Sequence, residues 1–395
     1  MIILVVFSMM NLNSEESPTI LIERGSFMTH CGYTGYDTTE LSFRTPSIGI
    51  EAQFKHIFQD ILNVDPTQHK VVIIKDAGTD QKELRKEANI LFNKFQVKAC
   101  AFTNAQRCIF YSTGSRGSNG LIIDLGYENT LIVPIVEYMT EEDFMSSFPY
   151  AGRAIEKYII DHLIKNGIEE TIIEENREQF FPYLMSDYFF FDSESEEDYE
   201  RGAIENRKKN LPKFLTFQDK KGNKIKLLLP DPILPQNLIK EKSNLLNHSL
   251  SKEINKQLLR NLEYFGRDIF GSDFECHYDR WWVARIILTG GLTNILGLKS
   301  LILRELVEKT ELKKFKGQNR SSSSKKVDID FRGNFFTILN LPYNNPPHSW
   351  IGGSIEWSLK PFSEFFVLNK TYQKNPEMSF PIDYESPFSY LEKMK

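Results

Sequence analysis

Apolar positions along this chain switch between two spacings. Thr19–Ile22 and Val71–Lys75 are continuous apolar runs of strand length, and Gly25-Ser26 after the first run marks a turn into a returning strand at His30–Gly35. Phe54, Ile57, Phe58, Ile61 and Leu62 recur at helical spacing and predict an amphipathic helix over 51–63. Leu84, Ala88, Leu91, Phe92 and Phe95 do the same for a helix from Asp80 to Phe95. Gly120–Asp124 and Leu131–Val136 read as strands joined by a turn at Tyr127–Thr130, and Ile155, Tyr158, Ile159, His162 and Leu163 mark the next helix. Phe214–Leu229 has the pattern of a hairpin turning near Gly222-Asn223. Strands alternating with helices predict α/β layers.

Composition narrows the picture in a few places. The 395 residues are enough for two or more lobes, and 41% hydrophobic with 26% charged residues is the balance of a globular chain. A net charge of −5 argues against a nucleic-acid-binding face over the whole protein. Cys31, Cys100, Cys108 and Cys276 lack C-x-x-C spacing, which argues against a zinc site and suits a reducing compartment. Met1–Met10 is apolar but too short to span a bilayer, and it lacks the basic n-region and small-residue cleavage site of a signal peptide. The acidic run at 192–200 and the serine- and lysine-rich stretch at 316–326 read as solvated loops. Cys276-His277 are sequence neighbours that read as core or surface residues, not as a nucleophile and its base.

Three glycine-bearing segments carry the candidate chemistry: Asp124-Leu125-Gly126, Thr289-Gly290-Gly291 and Trp350-Ile351-Gly352-Gly353-Ser354. Each stands after an apolar run or at a helix entrance. Only glycine lets backbone N–H groups approach a phosphate without steric cost, so turns of this kind suit a nucleotide held between two α/β domains. The competing reading of each is a tight turn that the fold needs with or without ligand.

Together with Pro46-Ser47-Ile48, Val133-Pro134-Ile135 and Ala151-Gly152-Arg153, these segments stand in the order found in the actin family, and the chain resembles that family from about Ile20 to about Lys370. The resemblance implies an actin-like α/β fold of two lobes with duplicated α/β domains. One lobe would combine 17–117 with 346–395; the other would be 118–345, with an inserted subdomain at about 165–275. It also implies a degraded nucleotide site. Glu23, Gly25 and Ser26 stand at the first phosphate loop, where Phe27 replaces a glycine and His30 a lysine. Asp124 and Gly126 stand at the second loop, where Tyr127 and Glu128 replace an acid and a glycine. Gln106 stands at the water-positioning glutamine, Arg177 and Glu178 beside the nucleoside, and Gly290 and Gly291 under the purine. Whether ATP or ADP with Mg²⁺ binds there is left open; ATP turnover is not expected, and no catalytic or metal-ligating residue is assigned.

The family's small subdomain after Pro46-Ser47-Ile48-Gly49 has no counterpart, because the helix begins almost at once. A chain without it would end a filament at its pointed end. Asp124-Leu125-Gly126-Tyr127, with Val71–Ile74 and Leu91–Phe95, is similar to the actin-related proteins, numbered ten or eleven, of the dynactin pointed end. The resemblance implies a non-catalytic cytoplasmic, cytoskeletal subunit. Its partners would be actin-like filament subunits and other dynactin pointed-end subunits, without direct nucleic-acid contact or membrane insertion. The alternatives are a nuclear actin-related subunit of a chromatin-remodelling complex and an ATP-binding or ATP-hydrolysing actin-like protein.

Overall fold

The computed structural model describes residues 17–46, 48–113, 120–136, 138–149, 151–177, 201–210, 214–218, 224–228, 285–298, 337–338 and 347–382. The chain divides into two units: 1–122 with 133–145 and 339–395, and 123–132 with 146–338. The division therefore passes through two strands, β6 (Gly120–Leu125) and β7 (Thr130–Val136).

The first unit is built on a six-stranded sheet. Its strands are β1 (Ile20–Arg24), β2 (Met28–Tyr33), β3 (Leu41–Arg44), β4 (Lys70–Lys75), β5 (Ala99–Asn104) and β14 (Val367–Leu368). Their order is β14-β5-β4-β1-β2-β3. β1, β4 and β5 run parallel, while β2, β3 and β14 pair antiparallel with their neighbours. Successive residues of the central strands point to opposite faces, and each face is covered. On one side Ile20, Ile22, Val71, Ile73, Cys100 and Phe102 meet α1 (Ile50–Lys55) and α2 (Gln81–Asn93) through Phe54, Leu84, Ala88, Leu91 and Phe92. On the other Leu21, Val72, Ile74 and Ala101 meet α3 (Ala105–Ser112) and α7 (His348–Ser358) through Ala105, Trp350, Ile351 and Trp357. The tail then turns back along the edge. β14 pairs with β5, and Tyr372, Phe380 and Ile382 fill the first face.

The helix expected over 51–63 is α-helical only to Lys55 and continues as a π turn over His56–Ile61. The wider turn keeps Phe54, Ile57 and Phe58 all fully buried. Asp80 caps α2 by accepting from Lys82 N, and Asn104 caps α3 by accepting from Gln106 N and Arg107 N. Among the described residues, no helix is long and apolar enough to cross a membrane.

The second unit holds most of a sheet ordered β13-β12-β6-β7-β8, with β9 (Ser146–Phe148) also paired to β7. β8 is Met139–Thr140, β12 is Arg285–Thr289 and β13 is Thr337–Ile338. α4 (Gly152–Lys165) buries Ile155, Ile159 and Leu163, and α5 (Glu170–Glu175) follows it. Further on come α6 (Arg201–Asn210) and two antiparallel strands, β10 (Phe214–Gln218) and β11 (Lys224–Leu228), at the expected hairpin. The runs at 192–200 and 316–326 and Cys276-His277 lie outside the described residues.

Candidate functional site

In the first unit, β1 ends at the loop Glu23-Arg24-Gly25-Ser26-Phe27. Gly25 N donates to Met28 O at 2.9 Å, and a Cβ on Gly25 would stand 2.8 Å from that same oxygen, so the glycine makes the β1–β2 turn itself. The loop is laced to the segment after β3. Thr45 N donates to Phe27 O at 2.8 Å, the Thr45 hydroxyl donates to Gly25 O at 2.7 Å, and the Arg44 guanidinium lies 5.1 Å from the Phe27 ring. The Glu23 carboxylate accepts a hydrogen bond from the Ser349 hydroxyl in the first turn of α7. A helix N-terminus favours a carboxylate there, so Glu23 anchors the returning tail to the sheet. His30 shares a 2.7 Å hydrogen bond with Ser42, and burial pulls its pKa down to about 4. It is neutral near pH 7 and supplies no fixed cation.

Only five residues, Thr45–Gly49, separate β3 from α1. The buried Gln53 amide fixes this connector by donating to Pro46 O at 3.0 Å and Ile48 O at 2.9 Å, while its oxygen accepts from Arg24 Nε at 2.8 Å. Arg24 also pairs with the fully buried Glu87, which Lys75 contacts at 2.7 Å. An ion network that no motif announced thus stands behind the first loop.

Gln106 is fully buried. Its oxygen accepts from Ala77 N at 2.8 Å and its nitrogen donates to Asp76 at 3.2 Å. Both ends of the amide are engaged in holding the turn after β4 against α3. This is the residue read in the sequence at the water-positioning glutamine.

Trp350–Ser354, read in the sequence as a phosphate-approaching turn, lies inside α7. Gly352 and Gly353 serve helix crossing. A Cβ on Gly352 would overlap the Cys108 carbonyl of α3 outright and stand 2.9 Å from Cys108 Cα, whereas one on Gly353 would meet side chains, Ile74 Cδ1 at 2.9 Å and Leu21 Cδ2 at 3.5 Å. At the same crossing Arg107 and Glu356, both buried, pair at 2.8 Å, and Thr103 donates to Glu356 at 2.6 Å.

In the second unit, β6 leads into Asp124-Leu125-Gly126-Tyr127-Glu128. Gly126 N donates to Asn129 O at 3.1 Å, closing a tight turn into β7. The first N–H groups of α4 point at this turn: Gly152 N donates to Gly126 O at 3.0 Å and Arg153 N to Tyr127 O at 2.8 Å. The Tyr127 ring packs so close to Gly152 that a Cβ there would stand 3.0 Å from it. The Tyr127 hydroxyl donates to the buried Glu156, and Arg177 grips the same carboxylate with two bonds, at 2.9 and 2.7 Å. Burial, with the Glu156 bond and charge, pushes the Tyr127 hydroxyl pKa up; the Glu156 bonds hold the Arg177 guanidinium above its ordinary value. Glu128 faces Arg153 at 2.9 Å in an exposed pair.

Gly290 has φ +92 and follows β12; a Cβ there would press into the Leu125 carbonyl and stand 2.6 Å from Asp124 Oδ1. Glycine is required at this point because two strand ends converge. A Cβ on Gly291 would meet nothing. Glu178 lies outside the described residues. Glu23, Gly25, Ser26 and Gln106 thus gather in the first unit, and Asp124, Gly126, Arg177, Gly290 and Gly291 in the second. Sequence reasoning missed Glu156, which carries the second cluster. Its neighbours in α4 gave only the helical spacing, and a single acid beside buried Ile155 has no motif of its own.

Residues 48–179 match the family model described as Actin. That segment is similar to the actin family. It is 24% identical to actin-29 of Dictyostelium discoideum over 82% of this chain and 74% of that protein. It is 25% identical to actin-related protein 4 of Arabidopsis thaliana over 29% of this chain and 26% of that one. The chain is thus similar to actin and actin-related proteins, and its mixed α/β sheets are those of an actin-like fold. The similarity implies an adenine nucleotide with Mg²⁺. The residues described here fit that group poorly, because the donors and charges at both loops are directed at one another: Gly25 N–H, the Gln106 amide, the Gly152 and Arg153 N–H groups, and the Tyr127, Glu156 and Arg177 side chains.

Proposed function

We propose that this chain is a non-catalytic structural actin-related protein that caps the pointed end of a short actin-like filament in dynactin, and so supports dynein-based transport along microtubules. The observation that carries the reading is the five-residue connector between β3 and α1. An actin-like subunit inserts a small subdomain at this point, and that subdomain takes part in receiving the next subunit. Here the connector is pinned by Gln53 and Thr45, which leaves no span of chain to build such a subdomain. A subunit of this kind offers one face to a polymer and terminates it at the other. Its partners are filament subunits and the other pointed-end subunits, in a cytoplasmic, cytoskeletal setting. The directed-inward polar groups of both loops support a structural role over ATP turnover. Affinity purification with identification of the captured proteins tests the assignment: recovery of dynactin subunits supports it, and recovery of a remodelling ATPase replaces it with the nuclear reading.

A further inference from the structure

We propose that the Tyr127–Glu156–Arg177 cluster acts as a built-in substitute for a bound nucleotide, so that the second unit keeps its loop, α4 and the end of α5 joined with no ligand present. The inference rests on the reading of the chain as a non-catalytic actin-family member, and it extends that reading to the cofactor requirement.

A phosphate-binding loop needs backbone N–H groups aimed outward and a cation with coordination to spare. Here the described donors beside the loop are engaged within the protein. The N–H groups of Gly152 and Arg153, at the start of the fourteen-residue α4, are aimed at the carbonyls of Gly126 and Tyr127. The loop backbone therefore caps the helix, occupying donors that would otherwise face an anion. The nearby cations are committed too. Arg177 forms a bidentate pair with a carboxylate only 4% exposed, and Arg153 faces Glu128.

Glu156 is the centre of the arrangement. Deep in the unit, its charge needs a partner, and Arg177 with the Tyr127 hydroxyl supplies three hydrogen bonds to its two oxygens. These bonds connect three segments: the β6–β7 turn, α4 and the residue just beyond α5. A ligand that crosslinks loops stabilises a fold by binding only the folded state. An internal carboxylate does the same at no dependence on concentration. The bulk of Tyr127 adds exclusion, since its ring fills the space over Gly152. A polyphosphate arriving here would have to displace Tyr127 and would meet the buried Glu156 charge.

The test uses the full chain. Nucleotide content is measured by acid extraction and chromatography of the purified protein, and thermal unfolding is followed in Mg²⁺-ATP at millimolar concentration and after EDTA with apyrase. The expected result is far below one nucleotide per chain and melting temperatures that coincide within about 1 °C. A bound ligand at about 100 times its dissociation constant raises the melting temperature by several degrees. Such a rise, or near-stoichiometric nucleotide, would overturn the proposal. A second arm separates a coupled cluster from three independent contacts. Glu156→Gln is expected to lower the melting temperature by several degrees, and adding Tyr127→Phe to it to cost little more, because the hydroxyl has already lost its charged partner. Additive losses would overturn the coupling. If Glu156→Gln does not fold, Tyr127→Phe and Arg177→Lys are combined instead, with the same non-additivity expected. A nucleotide-free protein that fails to cap filaments sinks the capping function alone, and a capping protein that carries nucleotide sinks this inference alone.

Discussion

Gly352→Ala is a one-methyl change with a large expected effect. The added Cβ would overlap the Cys108 carbonyl, a backbone group that no rotamer change can move. Relief requires α7 and α3 to separate by about 1 Å or more, since ordinary carbon–oxygen contact begins above 3 Å. Separation strains two things at once. It loosens the packing of fully buried Trp350 against Leu21, Val72 and Ala101, and it lengthens the buried Arg107–Glu356 pair. Overpacking costs about 1–3 kcal/mol, and breaking a buried ion pair costs about 3–5 kcal/mol if it is broken completely. Alanine returns about 1 kcal/mol of helix propensity. With the pair broken the terms net to a loss of about 3–7 kcal/mol. Urea unfolding followed by tryptophan fluorescence measures it, because buried Trp350 and Trp357 report on this crossing. Gly353→Ala is the control; its Cβ meets the Ile74 and Leu21 side chains and no backbone, so the change should fall within about 1 kcal/mol. If Gly352→Ala equalled Gly353→Ala in stability, or exceeded wild type as an ordinary mid-helix replacement would, the close-crossing argument would be refuted.

Three further outcomes follow from the same geometry. Glu356→Gln should destabilise by about 3–5 kcal/mol in urea unfolding by leaving Arg107 buried without its counter-charge, whereas Arg107→Met with Glu356→Leu should recover most of that loss. His30 has a folded pKa of about 4 against an ordinary 6.5, so the unfolded chain binds the extra proton first and stability should fall as pH drops from 6.5 towards 4, by about 3 kcal/mol; His30→Gln should flatten that part of the pH profile. Gln106→Ala should cost about 1–3 kcal/mol of stability by releasing the Asp76–Ala77 turn, with phosphate release from ATP equally low in wild type and variant.

Much of the fold was legible because its signals are local. Val71–Ile74 and Leu84–Phe92 carry strand and helix periods strong enough to place β4 and α2, and the parallel central strands are buried on both faces as continuous apolar runs require. The short connector was legible for the same reason, since Phe54 starts the helical pattern so soon after Pro46-Ser47-Ile48. The glycines were harder. Sequence spacing cannot tell a glycine that admits a phosphate from one that admits another helix, and Gly352 proved to be the second kind. Gly290 serves the convergence of strand ends, and Gln106 and Arg177 are held by Asp76 and Glu156, partners distant in sequence. Buried charges such as Glu156 and Glu356 have no local signature. Each is stabilised by a cation that only the tertiary fold brings near.

The capping assignment is tested most directly by mixing the purified protein with actin-like filaments of dynactin and imaging the products by electron microscopy. The account predicts the protein at one end only of each filament, with growth from that end stopped. Repeated incorporation along the filament, with subunits on both sides of each copy, would contradict it.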